Sequence, residues 1–141
     1  MKNFQLASLA FAVLAIPASA GELVVRVTGV GSADGEVGCA LHDSAAVFPT
    51  GHAGTPSSWQ RADPAEVTCR FPDLTPSLYA VAVSHDLNGS RETDTNFLGI
   101  PKEDWGISNN IRPNLRAPTF EEAQVAVDDT GGNEIQIWIA R

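Results

Sequence analysis

The sequence predicts an all-β protein, an antiparallel β-sandwich of about seven strands closed by one disulfide. Three observations carry this. Apolar residues alternate with polar ones at period two, turn residues punctuate the alternating runs, and both cysteines fall on inward-facing positions. The length, 141 residues, suits one domain, and a chain that is 43% hydrophobic and 18% charged is too apolar to be disordered.

Residues 1–20 read as a secretory signal peptide. Lys2 supplies the positive start, Leu6 to Ile16 is an apolar run, Pro17 ends it, and Ala18-Ser19-Ala20 is a small-x-small cleavage site. The expected mature domain is 21–141, periplasmic or secreted, in an oxidising compartment. Without Lys2, 8 bases face 17 acids. So acidic a chain lacks the positive face that nucleic acid demands. After residue 20 no apolar stretch is long enough to cross a bilayer.

Leu23, Val25 and Val27 share one face of the first strand, with Val24, Arg26 and Thr28 on the other. Val37, Cys39 and Leu41 repeat the pattern. Ala65, Val67, Cys69 and Phe71 follow, then Tyr79, Val81 and Val83. Val125 with Val127, and Ile135 with Ile137 and Ile139, complete six candidates. Such alternation packs one face and wets the other. Asp34-Gly35 separates the first two strands and Pro72 to Ser77 bridges the third and fourth. Asp128 to Asn133 is expected to join the last two as a hairpin.

Two connections are long, 42–64 and 86–122, and long irregular connections in compact domains are usually functional. Within the second, Thr119 and Glu122 have the spacing of a capping box, which predicts a short helical turn.

Cys39 and Cys69 sit on the inward register of their strands, which in an exported protein predicts a disulfide. A loop of this length gives about 3–4 kcal/mol in the chain-entropy account. A redox pair is disfavoured, because the spacing is nothing like Cys-x-x-Cys.

From His85 the chain reads Asp86, Asn88, Ser90, Glu92, Asp94 and Asn96 at every second position. Calcium takes about six to eight oxygen ligands, and Asp86, Asn88, Asp94 and Asn96 form a candidate partial shell. Against a helix-loop-helix calcium loop, Arg91 replaces the glycine and Phe97 the glutamate. The plainer reading is a solvated turn whose Asp and Asn cap their own backbone. His85, Glu103, Trp105, Ser108, Asn109 and Asn110 form a candidate ligand surface. Its plainer reading has Phe97, Trp105 and Phe120 anchoring the loop on the sandwich.

Ser84 and His85 point to opposite faces of a strand, so they form no nucleophile–base pair. His42-Asp43 repeats the His-Asp pair, and His52 lies in the 42–64 connection. The three histidines lack the short-spaced pair typical of a zinc site.

The segments Phe71 to Tyr79, His85-Asp86-Leu87-Asn88-Gly89, Asp94-Thr95-Asn96, Gly99 to Glu103 and Gly106 to Asn110 resemble a bacterial family of exported proteins, domain of unknown function 2141. The likeness spans about Leu23 to Ile139. It implies a secreted sandwich similar in outline to prealbumin-like and carboxypeptidase-regulatory-like modules, in keeping with the expected immunoglobulin-like or prealbumin-like β-sandwich, and supplies no activity. Ser77 stands where the family has glycine, and Ser90-Arg91 where it tends to have Asn-Gly.

The expected function is a non-enzymatic binding or envelope module with an extracytoplasmic protein, peptide or glycan as partner, and calcium as the candidate ion. Two alternatives stay open. One is an enzyme using His85, Asp86 and Glu103. The other is a structural partner that pairs through a sheet edge.

Overall fold

A computed structural model describes residues 20–92 and 101–141. The expected signal segment up to Ser19, along with Asp94, Asn96 and Phe97, lies outside the described residues. The strands in chain order are β1 (Gly21–Thr28), β2 (Glu36–His42), β3 (Ser57–Arg61), β4 (Val67–Leu74), β5 (Ser77–Asp86), β6 (Trp105–Ile107), β7 (Val125–Val127) and β8 (Asn133–Trp138). One helical turn, α1 (Phe120–Ala123), precedes β7.

Two sheets face each other. One has the order β4-β1-β8; the other runs β3-β2-β5-β6, with β7 paired to the start of β5. The period-two pattern explains the packing. Leu23, Val25, Val27, Val67, Phe71 and Ile137 point inward from the first sheet, and Val37, Leu41, Tyr79, Val81 and Val83 meet them from the second. Each such side chain contributes about 1.5–3 kcal/mol relative to exposure. The disulfide forms as expected, joining Cys39 on β2 to Cys69 on β4 and so pinning sheet to sheet.

Three details differ from the sequence reading. Asp128 to Asn133 does not close a hairpin, because β7 pairs with β5 and β8 pairs with β1. The Asn133 amide replaces the ladder: it accepts from the Asp128 N–H at 3.2 Å and donates to the Asp128 and Glu22 carbonyls. The β1–β8 pairing is parallel, so the sheets are not wholly antiparallel. Third, β3 and β6 lie inside the connections read as irregular. Ser57 to Arg61 is too polar to show an apolar alternation, and Trp105 to Ile107 is too short. Gly38 admits β3: a Cβ there would lie 2.5 Å from the Trp59 ring, which covers it across the ladder.

From Trp105 onward, the described part of the 86–122 segment covers the outer face of the second sheet. Ala80 on that face packs with Ile107, Phe120 and Ala123 in a second small core, joined by Phe48, Ala82, Trp105 and Ile111. Small alanines let the segment approach closely. The predicted capping box is present, with the Thr119 hydroxyl accepting from the Glu122 N–H and the Glu122 carboxylate from the Thr119 N–H.

Candidate functional site

Strands β2 and β5 run antiparallel, so each end of the pair gathers a different set of polar groups. Val37 is opposite His85 at one end and His42 opposite Ala80 at the other. The three histidines therefore do not converge on one point, since His85 lies at the other end of the pair from His42. At about 3.4 Å per residue, five residues of β2 separate His42 from the His85 end by about 17 Å. Among the described residues, no group of three or more His, Cys, Asp and Glu side chains is placed to hold a metal ion.

The loop end is the one the sequence singled out. His85 continues the inward register of β5 and is 2% exposed, with Nε2 2.8 Å from the Asp34 carbonyl oxygen. Asp86 is fully buried. Its Oδ1 accepts from the N–H groups of Asn88 (3.1 Å) and Gly89 (2.8 Å), and its Oδ2 from that of Arg91 (2.6 Å). This is the turn-capping geometry expected of Asp after a strand. Arg91 adopts φ 55°, left-handed as the absent glycine would be. Its guanidinium forks onto Glu36 through two 3.0 Å bonds and lies 5.3 Å over the Trp59 ring.

Glu103 returns the chain to the same place. The His85 N–H donates to the Asp104 carbonyl at 2.9 Å, and the Leu87 N–H to Glu103 Oε1 at 3.1 Å. Glu103 is 6% exposed, and its Oε2 is buried without a hydrogen-bond partner among the described residues. A carboxylate oxygen buried in this way carries an uncompensated desolvation cost.

The remaining predicted surface residues form a seam along the same segment. Ser108 is fully buried; its hydroxyl donates to the Ala123 carbonyl and accepts from the Val81 N–H at 3.0 Å. Asn109 and Asn110 take φ 62° and 51°, conformations Asn tolerates better than most residues. Asn109 donates to the Glu122 and Gln124 carbonyls, and Asn110 bonds β8. Trp105 is half-buried with the Arg112 guanidinium 4.0 Å over its ring; that guanidinium also donates to the Trp105 and Ala140 carbonyls. Of the six, His85, Glu103 and Ser108 therefore lie inside the fold, while Asn109 and Asn110 are exposed at the seam.

At the opposite end lies a cleft of about 450 Å³, with His42, His52, Thr55, Leu74 and Tyr79 in its lining. The sequence presents His42-Asp43 and His52 ten residues apart, with no local pattern that brings them together. The signal was the Pro- and Gly-bearing 42–64 connection, which folds back so that the Leu41 N–H donates to the Pro56 carbonyl at 2.8 Å.

A small two-sheet domain whose loops carry its polar groups is the class this geometry defines. The chain belongs to the family described as "Uncharacterized protein conserved in bacteria (DUF2141)", which it matches over residues 25–136. No curated protein and no solved structure matches it. None of the described helices is long and apolar enough to cross a membrane.

Proposed function

We propose that the chain is an exported, non-enzymatic binding module of the bacterial envelope or exterior, with a divalent cation such as calcium ordering the loop that follows β5. The observation that supports the cation is the buried Glu103 Oε2, which has no hydrogen-bond partner among the described residues and is held beside the turn that Asp86 caps. A hard cation is the natural partner for such an oxygen. Asp86 and Asn88 stand at the loop's start, where a cation would share oxygens that already accept backbone N–H groups of the turn, with Asp94 and Asn96 as expected ligands from the undescribed stretch. Export rests on the leader pattern of residues 1–20 and on the disulfide, which suits an oxidising compartment.

An enzymatic role for His85, Asp86 and Glu103 finds less support. A general base must reach the proton it takes. His85 is 2% exposed and bonded to a backbone carbonyl, and Asp86 is occupied by three N–H groups.

The test is the melting temperature of the mature chain in chelator and in millimolar calcium. Binding to the folded state raises it by mass action, and Glu103→Gln removes most of the rise. An identical melting temperature in both buffers removes the cation from the proposal.

A further inference from the structure

His42 ends β2, and the chain beyond it folds back as a self-bonded loop. The His52 N–H donates to Thr55 Oγ1 at 2.9 Å, the Gly54 N–H to His52 Nδ1 at 2.9 Å, and the Thr55 N–H to the His52 carbonyl at 2.9 Å. These bonds fix what the loop offers. With Nδ1 accepting, neutral His52 carries its proton on Nε2 and has that donor to spare. The Thr55 hydroxyl, accepting through its oxygen, keeps its own hydrogen to give. Facing them is an apolar wall that includes Leu74 and Tyr79, the latter held in place because its hydroxyl donates to the Thr75 carbonyl at 2.7 Å.

The lining also holds a side chain that is one hydrogen bond short. His42 is 3% exposed, its ring meets Phe48 edge-on at 5.2 Å, and its Nε2 is buried with no partner among the described residues. A buried imidazole lacking a partner is rare in folded proteins and costs free energy until something supplies one.

The lining holds one carboxylate, Asp43, and neither lysine nor arginine. An anion finds no positive charge there, in a chain of net charge −8. A cation finds a single acidic group. The donors and acceptors are instead mixed and mostly neutral, beside an apolar wall, in a volume within the range of about 300–1,000 Å³ for small-molecule sites. Hydroxyl groups match this set, because each both donates and accepts. They also satisfy His42 whichever of its nitrogens carries the proton.

We propose that the cleft formed by His42, His52, Thr55, Leu74 and Tyr79 binds a neutral polyhydroxylated ligand, a sugar unit of a glycan, with its hydroxyls on His52 and Thr55 and its apolar face on the Leu74–Tyr79 wall. The proposal stands apart from the loop at the other end of β5: a loop indifferent to calcium leaves it untouched.

The test is an amide NMR titration of the mature chain in chelator, with maltotriose, cellotriose and chitotriose as probes. At least one probe is expected to bind at millimolar concentration and to shift amides within 41–56 and 74–79. Losing one hydrogen bond, His52→Ala weakens that binding about tenfold. Ala46→Trp, at an exposed lining position, fills the cleft and abolishes it; unchanged amides elsewhere report that each variant is folded. The proposal is overturned if all three probes leave the cleft amides unmoved at tens of millimolar. Shifts centred instead on the exposed Trp138, or binding undiminished in both variants, also overturn it.

Discussion

Asn110 and Trp138 meet through a side chain that behaves as a strand. The Asn110 carbonyl oxygen accepts from the Trp138 N–H at 2.8 Å, and its amide donates to the Gln136 carbonyl at 3.3 Å. Those two groups belong to the open edge of β8, since β1 occupies the other side. An open edge is a template for unwanted pairing, so covering it protects the monomer. Asn110→Ala is expected to cost about 1–3 kcal/mol by leaving these groups unpaired and by forcing Ala to φ 51°. Asn110→Gly, free of the strain, should retain part of that loss in urea unfolding. Equal stability of all three proteins would deny the edge any need of the amide.

Ser108 is the other fastening of the long segment. Its hydroxyl links the Val81 N–H in β5 to the Ala123 carbonyl at the end of α1, and all of it is buried. Ser108→Ala leaves a donor and an acceptor stranded, at about 1–3 kcal/mol. Chemical denaturation measures it, and a loss within about 0.5 kcal/mol, the range of surface changes, would mean that water replaces the hydroxyl.

These two residues show where sequence reading succeeds and where it stops. Strands such as Leu23-Val24-Val25 and Val81-Ala82-Val83 announce themselves because burial on one face is a local, periodic property. The Cys39–Cys69 bridge followed from register, and the Thr119–Glu122 box from spacing. Asn109, Asn110 and Ser108 looked like ligand groups because a polar side chain facing a distant carbonyl and one facing solvent read alike. Their partners lie 13 to 28 residues away. Pairing of β8 with β1 is likewise a property of the whole fold, invisible in the short Asp128-to-Asn133 turn.

The Arg116 guanidinium forks onto Glu122 at 2.7 and 3.0 Å, and this, aided by the Thr119 N–H, lowers the Glu122 carboxyl to about 2 from its ordinary 4.5. The folded value lies below the unfolded one. The contribution of these bonds is therefore complete above the unfolded pKa and vanishes as pH falls through about 2. NMR titration of the Glu122 carboxyl should show a midpoint near this value, moving upward in Arg116→Ala. A midpoint that ignores Arg116 would reassign the effect to the cap alone.

His42 titrates in the opposite sense to a paired histidine. Burial among Phe48 and its neighbours pushes its pKa below the ordinary 6.5, with Asp43 countering and His52 adding slightly. Below pH 6.5 the unfolded chain takes up a proton that the folded chain refuses until its own lower pKa is passed. Stability should therefore decline as pH falls from 6.5 to that lower value, and level off beneath it. His42→Phe keeps an aromatic ring against Phe48 and has no proton to bind, so its stability profile should be flatter over that window. Urea midpoints between pH 7 and pH 5 compare the two proteins directly. Parallel profiles would show that the ring finds a proton-stabilising partner on folding, as a hydrogen-bonded His42 would.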